Sequence, residues 1–598
     1  MIHLPLLQLD GRYLYYTFVA GAHKILENQS EINNINVFPV SDKDTGTNLA
    51  STIRSVLDNI RPNRSYKITA TNIAEAALTG ARGNSGVIFA QFLYGMSLEI
   101  SNKKRVTIAE FAESVKKSVR YIYEAVANPV EGTILTVIKD WAEYIYKEKH
   151  SVTDFKQMLI NSFEVLNVSL QETKTKLKIL AQSNVVDAGA KGFVLFIEGI
   201  IELIKEGDLR KLLNEQVQNE VLVHSENTLE EDITFRYCTE AIIKDVRLDK
   251  ISMQHILQAK GDSVVVAGSE KLTRIHVHTN KPADLFHQLK DYGTITFQKV
   301  DDMVRQNEVI TNRKWKIALV TDSTCDLSAE IIDKYQINVL PMNINFGDYH
   351  YLDKVTIQPE QFYDLLNTNP TFPKTAQINE RSFTNLYSHL ASHYDAIVSV
   401  HLTSQFSGTY LSSKKAAERI SKEFNKPVIA IDSKNLSGAL GLIVLRVAEA
   451  IEKGVSFSEI QVLSESWVRN SKIFVSVKTL KYMVKGGRVS PTKGFISNLL
   501  NVNPIVSMDE EGKSFLFGKT FSQKSNMKKV LAHIKTLVSE KGVWNYVVLH
   551  AHNLAGAEWY AAQMKLITGK EPVSVVNISP VIGMNAGIGT AAVALMVE

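Results

Sequence analysis

Two aspartates stand two residues apart in the segment 36–48, NVFPVSDKDTGTN, as Asp42 and Asp44. Hard divalent cations take oxygen ligands, and Mg²⁺ characteristically uses one or two carboxylates together with substrate phosphates and water. Thr45, Gly46 and Thr47 follow directly. A turn of this composition can hold a metal while its backbone amides face a phosphate. Read locally, the same residues describe an ordinary polar turn equally well. A second glycine-rich stretch, GARGNSGV at 80–87, precedes a helical run and suits either an anion at a helix N-terminus or a tight helix–helix connection. It lacks the spacing of the nucleotide P-loop and follows no strand, which excludes P-loop and Rossmann readings. Two more segments, 129–137 (PVEGTILTV) and 185–193 (VVDAGAKGF), place an acid beside glycines in a helical region. Glycine inside a helix costs about 1 kcal/mol against alanine, so these breaks serve a turn or a close backbone approach.

A second constellation joins Cys238 in FRYCTE to His276 and His278 in RIHVHT. Side chains at i and i+2 of a strand share a face, so both imidazoles can address one ion with Cys238 from a neighbouring strand. Such a set leaves a fourth zinc position for water or substrate. A buried cysteine beside two surface histidines is the competing reading. The third constellation is a series of hydroxyl- and amide-rich loops after apolar runs, at 373–377 (PKTAQ), 403–409 (TSQFSGT) and 579–590 (SPVIGMNAGIGT). At the carboxyl ends of strands these suit a carboxylate ligand, and equally the capping of helix starts.

The elements that must position these groups fall into three stretches. Residues 11 to about 205 read as helical, with Leu14, Phe18, Ala22 and Ile25 at helical spacing. A polar, acidic stretch at 214–233 reads as a linker. From 234 to about 310 short strands and helices alternate in a small α+β unit. From Trp315 onward KIALVTDS, DAIVSVHLTS, KPVIAIDS and YVVLHAHN predict strands separated by helices, hence a parallel α/β sheet, with the domain linker at 311–315.

The 598 residues suffice for three to four domains, and 45% hydrophobic with 22% charged residues is an ordinary globular balance. A formal charge of only +4 gives no support for a nucleic-acid partner. Two cysteines, Cys238 and Cys325, make no disulfide framework. The N-terminus does not read as a signal peptide, and the apolar stretch 192–204 is interrupted by Glu198 and Glu202. These features predict a cytoplasmic protein with no transmembrane segment.

Taken in order, NVFPVSDKDTGTN, GARGNSGV, EGTILTV and VVDAG resemble the kinase domain of bacterial fatty acid kinase, related to the L subunit of dihydroxyacetone kinase. The resemblance implies an all-α helical barrel binding ATP and Mg²⁺, with Asp42, Asp44 and Asn36 at the metals. It further places Thr45, Thr47, Asn48, Gly83, Asn84, Ser85 and Gly86 around phosphates, and Thr133 and Asp187 near the nucleotide. Ser41 and Lys43 replace the family's proline and glycine. YCTE, GDSVVVAG and HVHTNKPAD resemble that family's middle domain, which implies Zn²⁺ on Cys238, His276 and His278. Residues 315–598 resemble the DegV family of fatty-acid-binding proteins, two α/β lobes with an acyl chain between them. On that resemblance Thr375, Ser404, Ser407, Gly408 and Asn585 bind the lipid, and Arg488 of the K-G-G-R motif faces the kinase or an acyl-phosphate. Ala376 and Ile378 depart from the family's T-S-Q-P loop, and Asn585 stands where histidine is usual.

The expected organisation is a kinase domain at 1–210, a middle α+β domain at 211–312 and a DegV-like domain at 313–598. The expected activity is ATP-dependent phosphorylation of a fatty acid carboxylate held by the C-terminal domain. A small-polyol kinase of the dihydroxyacetone type and a non-catalytic lipid-binding or regulatory protein are the rivals. A homodimer and a transient contact with a membrane or an acyltransferase are further expected partners.

Overall fold

The computed structural model describes residues 5–39, 43–206, 233–487 and 502–598. The chain divides into two compact units, Met1–Val304 and Arg305–Glu598, and passes from one to the other within the helix Met303–Thr311. Asp42, Arg488 and nearly all of the expected linker at 214–233 lie outside the described residues.

In the first unit, among the described residues, ten helices precede the first long strand. They are α1 (Gly11–Glu27), α2 (Gln29–Asn34), α3 (Thr45–Asn59), α4 (Tyr66–Gly80), α5 (Gly83–Glu99), α6 (Ile108–Ala125), α7 (Ile134–Glu148), α8 (Phe155–Lys176), α9 (Lys178–Ser183) and α10 (Ala188–Glu206). Local chemistry sets their ends. Asp10 caps α1 by accepting from the Tyr13 amide at 2.9 Å, and Thr107 and Glu110 form a reciprocal capping box at the start of α6. Apolar residues then recur at helical spacing, as in Ile108, Phe111, Ala112 and Val115 of α6, all buried. Contacts run α1–α4–α5–α6–α7–α8–α10 and back to α1, closing a ring. Its interior is an aromatic cluster in which Phe193 meets Phe89, Phe92 and Trp141 edge to face. Beyond the expected helices, a short antiparallel pair, β1 (Gln8–Asp10) and β2 (Arg105–Thr107), ties the N-terminal segment to the bundle.

The middle segment folds as an antiparallel sheet of β3 (Tyr237–Lys244), β4 (Gly261–Ser269), β5 (Leu272–Thr279) and β6 (Thr294–Asp302), in the order β4-β5-β3-β6. It belongs to the same compact unit as the helices. Val265 and Ala267 of β4 are part of the helical core, and the Gly268 amide donates to Gln91 Oε1 of α5 at 2.8 Å.

The second unit has two larger sheets among the described residues. A parallel sheet orders β13 (Val428–Asp432), β12 (Ala396–His401), β7 (Ile317–Asp322) and β8 (Asn338–Leu340). A six-stranded sheet orders β16 (Ser514–Thr520), β15 (Asn503–Met508), β14 (Ser471–Ser476), β19 (Ala591–Met596), β17 (Asn545–His550) and β18 (Val575–Asn577). A small antiparallel sheet of β10 (Tyr349–Leu352), β9 (Asn343–Phe346) and β11 (Lys374–Ala376) completes the fold. The expectation of one parallel pattern holds for the first sheet and is corrected for the second. There β19 inserts antiparallel between β14 and β17, leaving β17 parallel only to β18. Apolar runs alone do not encode strand direction. The helix Ser437–Glu452, apolar around most of its circumference, contacts both larger sheets and is the spine of this unit. Among the described residues no helix is long and apolar enough to cross a membrane.

Phe193 is 1% exposed at the centre of the ring. We expect Phe193→Ala to lower first-unit stability by about 3–5 kcal/mol, read by denaturant unfolding.

Candidate functional site

The four glycine-containing segments, dispersed over 150 residues of sequence, meet at the N-termini of four helices. Thr45 opens α3, and its amide donates to Asn36 Oδ1 at 3.1 Å, as does its hydroxyl. The Thr47 amide donates to Asn33 Oδ1 at 3.0 Å, while Asn33 and Gln29 donate to the Thr47 hydroxyl. Gly83, at φ +58°, starts α5, and a Cβ there would lie 2.4 Å from Asn48 Nδ2. Gly86 faces Thr52 as closely. Further along the first turn of α5, Ser85 packs on Gly189 at the start of α10, where a Cβ would lie 2.5 Å from its Oγ. Asp187 Oδ1 accepts from the Ala190 amide of α10 at 2.8 Å and from the Ile134 amide of α7 at 3.0 Å. Thr133 is the N-cap of α7. Converging helix starts concentrate partial positive charge, which favours an anion, while the amides of Thr45, Thr47, Ile134 and Ala190 are held by Asn36, Asn33 and Asp187.

The expected residues Asn36, Thr45, Thr47, Asn48, Gly83, Asn84, Ser85, Gly86, Thr133 and Asp187 therefore share one region. Their tasks differ. Asn36, Thr133 and Asp187 spend polar atoms on turns and helix starts. Burial pushes the Asp187 carboxyl up to about 6, against the opposing pull of the Ala190 and Ile134 amides. Asn84 Oδ1 is buried with no hydrogen-bond partner among the described residues. Asp44 sits at the N-cap position of α3 without capping it, a position suited to a divalent cation beside phosphate; its expected companion Asp42 lies outside the described residues.

Cys238, His276 and His278 come together as expected, their ligand atoms all within 4.8 Å of one another. The register explains this: Cys238 pairs with His278 across β3 and β5, and His276 lies two residues away on the same face. Cys238 Sγ is 3.9 Å from His276 Nδ1, and His276 Nε2 is buried with no hydrogen-bond partner among the described residues. His278 Nδ1 is 3.3 Å from Asp262, the carboxylate–histidine arrangement that orients metal ligands. This donor set fits zinc. Burial, followed by Glu240 and Asp301, holds the Cys238 thiol well above its ordinary range, and the same carboxylates would favour a cation. The charge of Asp44 also acts on Cys238 and His276, so the metal cluster adjoins the helix starts.

Sequence reasoning missed Glu240, two residues beyond Cys238 on the same face. It is 1% exposed, and its Oε1 accepts from the Gly83 amide at 2.6 Å. Oε2 accepts from Arg274 at 2.6 Å, and Arg274 in turn reaches the Thr79 carbonyl at the end of α4. Although burial opposes its charge, Arg274, His276 and Lys299 hold the Glu240 carboxyl well below the usual range. The i,i+2 spacing was the available signal; the partner amide 157 residues away was not.

In the second unit a cavity of about 260 Å³ opens between the loops of the parallel sheet and the face of the six-stranded sheet. Thr375, Ser407, Gly408 and Asn585 line it; so do Ile473, Val506 and Met508. Asp322, at the carboxyl end of β7, holds the lining residue Leu402: its Oδ2 accepts from the Leu402 amide and faces His401 Nδ1, both at 3.0 Å. Ser404, expected at the ligand, is not among the lining residues; its amide donates to the Asp432 carboxylate. Gln377, within the 373–377 loop singled out from sequence, lines the cavity, and so does Met483, which was not expected at the ligand. Asn585 Nδ2 donates to the Val581 carbonyl at 3.1 Å, and its Oδ1 is buried with no hydrogen-bond partner among the described residues. The helix that carries it, Pro580–Ala586, is anchored from below. Asp326 accepts from the Ser579 amide at 3.0 Å, and Asp353 from the Val581 amide at 3.4 Å. Burial pushes Asp353 up to about 7.

The first unit is a helical ring with converging N-termini beside a small sheet that carries a Cys-His-His cluster, and the second is a two-sheet unit around a cavity. Family models resolve the parts. A DAK2 domain matches residues 39–202, a FakA-like (fatty acid kinase) middle domain 234–310, and the DegV family, described as an uncharacterised protein family, 316–598. The chain thus joins a DAK2 domain, a FakA-like middle domain and a DegV-family domain in one polypeptide. An uncharacterised protein of Staphylococcus saprophyticus is 31% identical over 318 residues, 51% of this chain and 57% of that protein. Protein YloV of Bacillus subtilis is 32% identical over 322 residues, 52% of this chain and 58% of that protein. The chain therefore matches less than two thirds of the length of these relatives. Among solved structures, DegV, a fatty acid binding protein from Bacillus subtilis, is 26% identical with a TM-score of 0.43, covering 48% of this chain and 100% of that one. A fatty-acid-binding DegV family protein from Thermus thermophilus is 25% identical with the same TM-score, 0.43, covering 47% and 100%.

Gly83→Ala places a side chain in the left-handed region and against Asn48. We expect a loss of at least about 1–2 kcal/mol in first-unit stability on denaturant unfolding. For Asp353 the folded pKa lies above the unfolded one, so its contribution is complete near pH 4 and is lost as pH rises towards about 7. Asp353→Asn, which mimics the protonated acid, is expected to flatten the fall in second-unit stability over that window, measured by denaturation at a series of pH values.

Proposed function

We propose that the chain is an ATP-dependent kinase that phosphorylates the carboxylate of a fatty acid bound in the cavity of its DegV-family domain, giving an acyl-phosphate and ADP. The observation that carries the kinase half is the meeting of the α3, α5, α7 and α10 starts around Asn48, Gly83, Ser85 and Asp187. Support for the acid half comes from the cavity, apolar along Ile473, Val506 and Met508 and polar at Thr375, Ser407 and Asn585. The FakA-like middle domain supports the pairing of the two.

In this reading a carboxylate oxygen attacks the γ-phosphorus of ATP, the bond from that phosphorus to the β,γ-bridging oxygen breaks, and ADP leaves with the electron pair. Such a transfer needs positioning and charge neutralisation more than covalent help from the protein. The partial positive charge of the converging helix starts draws the phosphates, and a phosphate would compete with Glu240 for the Gly83 amide. Gly46, Gly83 and Gly189 let the backbone approach closely, and Asn36 fixes the turn that presents Asp44. Mg²⁺ held by Asp44, with Asp42, would neutralise charge on the phosphate oxygens. Zn²⁺ held by Cys238, His276 and His278 would supply a Lewis acid with one open position. Thr375 and Ser407 donate hydroxyls to the acid head group. Asn585 can offer a hydrogen bond there but no positive charge.

Purified protein with ATP, Mg²⁺ and oleate is expected to release ADP and form an acyl-phosphate, trapped with hydroxylamine as the hydroxamate. Asp44→Ala should lower the rate at least about 100-fold while leaving bound lipid, read by native mass spectrometry, unchanged. Turnover of dihydroxyacetone with no turnover of any long-chain acid would overturn the reading.

A further inference from the structure

Glu240 joins two centres that the sequence treats separately. Its Oε1 lies 2.6 Å from the Gly83 amide, the first donor of α5, and 3.5 Å from His276 Nδ1 within the Cys238–His276–His278 cluster. Its Oε2 is held by Arg274 at 2.6 Å, and all three side chains, Glu240, Arg274 and His276, are 1–2% exposed. The carboxylate is therefore pinned on one oxygen and shared on the other. The shared oxygen rests on the Gly83 amide, the donor that a phosphate at the start of α5 needs.

We propose that Glu240 is a positioning residue that couples cation binding at Cys238, His276 and His278 to anion binding at the Gly83 loop, each favouring the other. The inference rests on the nucleotide and zinc readings above. Its sign follows from placement. A cation taken by the cluster puts positive charge on the His276 side of the shared oxygen, whichever ring nitrogen it uses. If Nε2 takes it, the Nδ1–H becomes a stronger donor to Glu240; if Nδ1 takes it, the carboxylate is drawn towards the ion itself. Either way Glu240 leaves the Gly83 amide and frees it for phosphate. Conversely, a phosphate on Gly83 displaces the carboxylate towards His276 and raises the negative charge around the cluster. Linkage requires the two effects to be equal. Arg274 holds Oε2 while Oε1 exchanges partners, and its bond to the Thr79 carbonyl ties that anchor to the end of α4.

The test measures Zn²⁺ affinity of the full chain by competition with a chromogenic chelator, with and without a non-hydrolysable β,γ-imido analogue of ATP plus Mg²⁺. In the wild type the analogue is expected to tighten Zn²⁺ binding at least about 5-fold. Glu240→Gln and Glu240→Asp are expected to bring that ratio to about one; the aspartate retains charge for Arg274 and guards against loss of fold, checked by thermal melting. A merely structural Glu240 would weaken both affinities and leave the ratio unchanged, which overturns the proposal, as does a wild-type ratio of one. A wild type that binds no Zn²⁺ sinks the zinc reading, and one that binds no analogue sinks the nucleotide reading; the coupling falls with either.

Discussion

A single buried carboxylate organises the first unit. Removing Glu240 from water is costly, and the cost is offset only because Arg274, the Gly83 amide and His276 surround it. That requirement brings the β3–β5 face of the middle sheet against the start of α5. Once the sheet is so placed, Cys238 and His278 follow by strand register, and the cluster adjoins Asp44. The helix starts that converge around Gly83 are therefore part of an environment built jointly by helices and sheet. Together with Val265 and Ala267 in the helical core and the Gly268–Gln91 bond, the contact of Glu240 with Gly83 joins the sheet to the helices in one compact unit.

How legible this was depended on the range of the interaction. Helix existence was plain, because α1, α6 and α8 carry apolar residues at helical spacing and capping residues at their starts. The metal cluster was half legible: His276 and His278 share a strand face by arithmetic, but nothing local says that Cys238 pairs with His278. The glycines of GARGNSGV announced a close approach without naming what approaches. The answer, Asn48 against Gly83, lies 35 residues away by sequence and across two helices. Glu240 was legible only as the i,i+2 neighbour of Cys238, since a glutamate in a strand looks like a solvent-facing residue until Arg274 is seen diagonally across the ladder. Arg274 faces β3 directly across the ladder, where Ile242 pairs with it in register.

In the second unit the sequence pointed to the carboxyl ends of strands and found Thr375, Ser407 and Asn585, which do line the cavity. Ser404 belongs to the same loop, but it is not among the lining residues and its amide donates to Asp432. The antiparallel insertion of β19 was beyond reach, and it supplies the sheet whose Ile473 and Val506 form the apolar wall. Departures such as Asn585 are local in sequence, yet their meaning is set by Asp326 and Asp353, which hold the supporting helix from elsewhere in the unit.

The cavity has one further consequence. Its walls come from both sheets, with Ser407 on one side and Met508 on the other, so an occupant touches elements that the empty unit leaves facing a void. Anything that binds the folded unit and not the unfolded chain raises its stability by RT ln(1 + [L]/Kd). Occupied and empty copies of this unit are then distinct in their resistance to unfolding and proteolysis. On the proposed reading, in which a fatty acid is that occupant, a cell short of free acid would hold a more fragile population of the same protein, and its abundance would track the supply of the acid.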